Sequence, residues 1–150
     1  MKLHSFKRLA FFVLMMGLSL ACGSDPAGIE QHMLPPKVVE LIKSPQSWDG
    51  NLLPAYPEGQ PEVTILRIAI PAGTRLDMHS HPVINAGVLI SGQLTVYTSK
   101  GKTLLLEAGD PIVEVVNTWH YGVNAGDVDA EIIVFYAGIV DEPITIIQEE

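Results

Sequence analysis

Residues 73–92 read GTRLDMHSHPVINAGVLISG, and residues 109–124 read GDPIVEVVNTWHYGVN. In the first stretch His79 and His81 stand two apart. Side chains alternate along an extended chain, so both emerge on one face. A metal ion needs convergent imidazoles, and this spacing brings two ring nitrogens toward a common point. The same pattern also describes two histidines that merely face solvent, so the pair needs context. His120 in the second stretch offers a third imidazole. Beyond residue 21 the only other histidine is His32, which stands in a segment rich in Gly and Pro.

Outward from these stretches the chain is a series of short apolar, β-branched runs. They cover residues 63–70, 84–90, 94–98, 104–107, 111–116, 132–137 and 144–147, with Gly, Pro, Asp or Ser between them. A turn signal every ~8–12 residues predicts an all-β antiparallel sandwich or barrel. The 11 prolines and 13 glycines of the chain fit many tight turns better than long helices. Residues 38–43 read as a strand or as one helical turn. Residues 47–61, rich in Pro and Gly, are expected to wrap the barrel or one mouth of it.

Gly73, five residues, His79-Ser80-His81, three residues, Asn85, six residues and Gly92 together resemble the first motif of the cupin superfamily, Gly-x5-His-x-His-x3-4-Glu-x6-Gly. Gly109, His120 and Asn124 fall at the intervals of the second, Gly-x5-Pro-x-Gly-x2-His-x3-Asn. Asn85 replaces the glutamate, Val115 the proline and Asn117 the glycine. The resemblance covers residues 62–140 and implies an antiparallel double-stranded β-helix (a jelly-roll barrel), often dimeric by exchange of edge strands, so a homodimer is among the expected partners. It also implies that His79, His81 and His120 are metal ligands inside the barrel. Asn85 offers a neutral carbonyl oxygen, which either ligates weakly or turns away to hydrogen-bond a ligand or the backbone. Three imidazoles with open positions suit one divalent Fe, Mn, Ni, Cu or Zn ion without choosing among them.

Other residues near the motifs are open to two readings. Arg67 lies within the apolar run 63–70, either facing solvent or paired in the cavity. Tyr136 stands on the last strong strand, and with Arg67 it is a candidate to touch substrate or to support the ligands. Asp77 shares parity with His79 and either orients it or sits exposed at the mouth. Trp119 and Tyr121 flank His120 and are expected on the opposite face.

The 150 residues suffice for one domain with a substantial core. Formal net charge is −8, and removal of residues 1–21 leaves six basic and seventeen acidic residues, or −11. That charge excludes nucleic acid as a partner. Lys2, Lys7 and Arg8 precede an apolar run over residues 9–21, the layout of a secretory signal. A helix over that run spans about 20 Å at 1.5 Å per residue, short of the ~30 Å hydrocarbon core of a membrane. The run closes on Leu18-Ser19-Leu20-Ala21-Cys22, which resembles the lipobox of bacterial lipoproteins, although Ser19 occupies the place where leucine is usual. Cys22 is the single cysteine of the chain, so it forms no intrachain disulfide and serves no multi-thiolate metal site.

The expected organisation is therefore a signal over 1–21 ending at Cys22, a tether and wrapping segment over 22–61, and a barrel over 62–148. The expected location is the periplasmic side of a bacterial membrane, held there only by a lipid on Cys22. The expected function is that of a metal-dependent enzyme, dioxygenase-like or lyase-like, acting on a small anionic molecule. Two alternatives stand beside it: a non-catalytic module that binds a small molecule or metal, and a metal-free epimerase-like barrel using a His/Tyr acid–base pair. No nucleophile elbow, phosphate-binding loop or dinucleotide fingerprint competes with these readings.

Overall fold

The computed structural model describes residues 35–149; the predicted signal, Cys22 and His32 lie outside them. The chain divides into the units Met1–Lys37 and Val38–Glu150, and the second holds all the strands among the described residues. These are β1 (Pro61–Ile70), β2 (His79–Ser80), β3 (Ile84–Ser91), β4 (Gln93–Thr98), β5 (Thr103–Glu107), β6 (Pro111–Val113), β7 (His120–Val123), β8 (Ala130–Ile139) and β9 (Ile146–Ile147). No helix is present among the described residues.

Two antiparallel sheets face one another, one in the order β1-β8-β3-β6 and the other β5-β4-β7-β2-β9. Alternation along β1 and β8 sends Ile68, Ile70, Ile132, Val134 and Tyr136 inward, where they meet Leu94, Val96 and Leu106 of the second sheet. Each fully buried aliphatic side chain of that layer contributes about 1.5–3 kcal/mol. Neighbours in each sheet are often far apart in sequence, so each half-barrel is built from pieces of the other's connections. This is the double-stranded β-helix expected from the sequence.

The motif positions have structural roles. Gly92 turns β3 into β4 at φ 73°, and a Cβ there would lie 2.7 Å from the Asp129 carbonyl oxygen. Asn117 adopts φ 51°, the left-handed conformation for which asparagine is among the best-tolerated residues after glycine. That explains how it can stand at a glycine position. Asn124 is fully buried and donates from Nδ2 to the carbonyls of Ile70 and Val128, 2.9 Å each, tying the end of β1 to the β7–β8 connection.

Three details differ from the sequence reading. The run over 111–116 is a strand only as far as Val113. Residues 38–43 form neither strand nor helical turn and are mostly exposed. The His79 and His120 segments, not among the counted strands, form β2 and β7 and pair directly, His79 opposite His120. The wrapping segment does close on the barrel. Trp48 N–H donates to the Val113 carbonyl at 2.9 Å, and Lys102 Nζ donates to the Asp49 carbonyl.

Candidate metal centre

β2 and β7 place His79 and His120 side by side, and His81 follows β2, where its carbonyl accepts from Asn117 N–H at 2.8 Å. The three ring centroids are separated by 4.3 Å (His79–His120), 5.0 Å (His79–His81) and 5.0 Å (His81–His120). One ligand atom from each lies within 4.8 Å of the others.

The tautomers are set by the backbone. His79 Nδ1 donates to the Asp77 carbonyl at 2.7 Å, His120 Nδ1 to the Thr118 carbonyl at 2.8 Å, and His81 Nδ1 to the Ile144 carbonyl at 2.8 Å. A carbonyl only accepts, so each Nδ1 carries the proton and each Nε2 keeps a bare lone pair. Burial lowers the pKa of all three rings, that of His81 to about 4. All three are therefore neutral at physiological pH, as ligation requires.

A fourth group belongs to the site. Glu114 follows β6, lines the same cavity and is buried, with Oε2 3.9 Å from His120 Nε2. Burial pushes its carboxyl up to about 7, opposed by His79 and the Val115 N–H. Four buried side-chain atoms among the described residues lack a closed hydrogen bond: Glu114 Oε2, His120 Nε2, Asn85 Oδ1 and Trp48 Nε1. Leaving such a group unpaired costs about 1–3 kcal/mol. An oxygen donor and an imidazole donor left bare beside two more imidazoles fit a divalent transition metal.

The cavity measures about 290 Å³, and its walls include Ile68, Ile70, Leu94, Ile132, Val134 and Tyr136. Tyr136 meets His81 edge-on at 5.4 Å, and burial raises its phenol to about 12, so it keeps its proton. Asn85 is fully buried in the same wall and donates from Nδ2 to the Val83 carbonyl at 3.2 Å, leaving Oδ1 free.

Arg67 does not reach the cavity, which corrects its place among the candidate site residues. Leu66 and Ile68 take the inward positions of β1, so Arg67 points out and pairs with Glu131 at 2.6 Å, its side chain 71% exposed. Asp77 is exposed and serves His79 through its main-chain carbonyl, not its carboxylate. Tyr121 stacks on Tyr97 at 5.2 Å and lies under the Arg75 guanidinium, away from the histidines. The sequence reading missed Glu114. Its one signal was a lone carboxylate inside the apolar run 111–116, six residues before His120.

Fold and site together define a double-stranded β-helix with a three-histidine centre. Residues 66–136 match the family model of the cupin domain, and the barrel belongs to the cupin superfamily. Among solved structures, the dimethylsulfoniopropionate (DMSP) lyase DddQ from Ruegeria pomeroyi DSS-3 is similar with 16% identity and a TM-score of 0.51, over 57% of this chain and 43% of that one. An uncharacterized double-stranded β-helix protein from Klebsiella pneumoniae has 18% identity and a TM-score of 0.51, over 63% and 89%. An oxalate oxidase in complex with glycolate has 22% identity and a TM-score of 0.49, over 57% and 45%. The chain thus spans less than half the length of the lyase and the oxidase. The likenesses to the lyase and the Klebsiella protein show the fold. No curated protein matches the chain in sequence.

Proposed function

We propose that this protein is an exported metal-dependent enzyme that takes one small anionic molecule into its barrel for a dioxygenase-type or lyase-type reaction. The observation that carries the reading is the set of three bare Nε2 atoms beside a mainly apolar cavity of about 290 Å³. His79, His81 and His120 would hold one divalent transition metal, which when bound supplies Lewis acidity toward substrate oxygens. The chain does the rest. The aliphatic wall excludes water and strengthens every electrostatic interaction inside. Tyr136 offers a phenolic proton to a substrate oxygen, and Asn85 Oδ1 accepts from a substrate hydroxyl. The test is a turnover and oxygen-uptake screen of metal-loaded protein against small carboxylic acids. Turnover that disappears in His79→Ala supports an enzyme, and ligand binding without turnover points to a binding module instead.

One contact favours a second reading. His81 and Tyr136 meet edge-on, the residue types of the acid–base pair that a metal-free epimerase-like barrel needs. Activity that survives exhaustive chelation would select it.

Export, lipid anchoring and self-association are part of the proposal. The basic residues before the apolar run over 9–21, and Cys22 at its close, support a lipid-anchored protein on the periplasmic side of a bacterial membrane. In Cys22→Ser, lipid labelling is lost; equal labelling of both forms refutes the anchor. Exposed Val63, Ile65, Ile133 and Phe135 on the outer face of β1 and β8, with exposed Val38, Val39, Leu41 and Ile42, support a homodimer.

A further inference from the structure

Position 85 is where the cupin motif carries its glutamate, and here an asparagine stands there. The neighbouring strand compensates. Glu114 N–H donates to the Asn85 carbonyl at 3.0 Å, so the two residues are main-chain partners, and both side chains line the cavity. Asp77 is the only other acidic residue in that lining, and it is exposed. Glu114 is thus the one buried carboxyl group in that lining, next to His120. Its Oε2 has no hydrogen-bond partner and lies 3.9 Å from His120 Nε2, which has none either. Three neutral imidazoles leave a dication with its full charge among aliphatic walls, a costly arrangement without a counter-charge.

We propose that Glu114 supplies the anionic oxygen ligand of the metal centre, a carboxylate moved from β3 to the end of β6. The donor set is then three imidazoles and one carboxylate, and the net charge of the loaded centre is +1 instead of +2. Asn85 is freed from ligation, so its Oδ1 is available to a bound molecule.

The inference rests on the metal reading, and the experiment separates the two. Mn(II) is titrated into the full-length protein by competition with a chelator, and water-proton relaxation reports how many waters remain on the bound ion. Wild type, Glu114→Gln, Asn85→Glu/Glu114→Gln and His120→Ala are compared, with a thermal melt to confirm folding of each. Glu114→Gln should weaken Mn(II) binding by about tenfold or more and add about one water, the place vacated by the carboxylate. The double variant should recover affinity and lose that water, because the glutamate returns to the motif position. Loss in His120→Ala, with affinity and water count unchanged in Glu114→Gln, overturns the role of Glu114 and leaves the metal reading standing. Equal weak binding by wild type and His120→Ala overturns both. If Glu114→Gln is unfolded, Glu114→Asp is measured in its place. Its shorter arm should weaken binding and add a water, and an unchanged result there overturns the role as well.

Discussion

On the inner face of the sheet β1-β8-β3-β6, Ile68, Ile132, Val134 and Tyr136 wall a cavity in which Asn85 and Glu114 keep oxygen atoms without hydrogen-bond partners. On the outer face of the same strands Val63, Ile65, Ile133 and Phe135 stand exposed, the last two each one residue away from buried Ile132, Val134 and Tyr136. The two faces lack opposite things. Inside, polar atoms are buried without partners, a deficit that a cation or a polar ligand relieves. Outside, apolar surface is left in water, a deficit that another protein surface relieves. A strand alternates with period two, so one stretch of sequence writes both deficits at once.

The largest expected effect breaks the inner face. Wild type should retain close to one divalent transition metal per chain after loading and desalting. His120→Ala should reduce affinity by about 100-fold or more, on the order of 3 kcal/mol, with the barrel still folded. His79→Ala and His81→Ala should do the same. Metal analysis after desalting measures this, and retention by His120→Ala would falsify the shared site.

The outer face is broken by charge. Phe135 and Ile65 are direct cross-strand partners on that face. Phe135→Glu should shift a wild-type dimer to monomer by about tenfold or more in dissociation constant, without altering metal content. Sedimentation equilibrium reads both forms. A wild type that is monomeric at every concentration removes self-association.

Acid should unfold the metal-free protein from within. Burial lowers the folded-state pKa of the three histidines below their ordinary value, that of His81 to about 4, so as pH falls below about 6.5 these rings bind more protons in the unfolded chain than in the folded one. Their contribution is complete above pH 6.5 and is lost as pH falls. Glu114 has the opposite sign. Its raised pKa favours the folded state at low pH and loses that contribution as pH rises from 4.5 through about 7. His81 and Glu114 are displaced by similar amounts in opposite senses, so His79 and His120, both lowered, set the net effect as a fall in stability on acidification. Tm of the metal-free protein should drop by about 5 °C or more from pH 7 to pH 4.5. A Tm that rises over this interval would contradict buried neutral histidines.

The smallest effect sharpens the contrast. Arg67→Ala removes an exposed ion pair with Glu131, and exposed pairs contribute about 0–1 kcal/mol. Metal affinity should stay within about twofold of wild type, and denaturant melts should move little. A large loss of metal would put Arg67 back among the site residues.

The three histidines were legible because two independent spacings agreed, and because imidazoles two apart on a strand converge by geometry alone. Two of the three Nδ1 acceptors, the carbonyls of Asp77 and Thr118, come from two residues upstream and so belong to the local chain. Glu114 was not legible. The strand stops at Val113, and past that point period-two alternation no longer says which way a side chain turns. Arg67 was ambiguous by sequence because its neighbours are apolar on both sides. Only the pairing of β1 with β8 fixes which parity faces the cavity, Leu66 and Ile68 inward and Arg67 outward. Residues 38–43 failed as a predicted element for a similar reason. Their apolar character reflects an uncovered surface, and a run of apolar residues gives the same signal whether it is paired or not.

The third Nδ1 acceptor has a consequence in time. His81 is fixed by the carbonyl of Ile144, which comes 63 residues later in the chain. A nascent chain that has already made all three imidazoles still has a free His81 ring, able to rotate and present either nitrogen. The His81 imidazole is therefore set in place only after the chain has returned from downstream to Ile144.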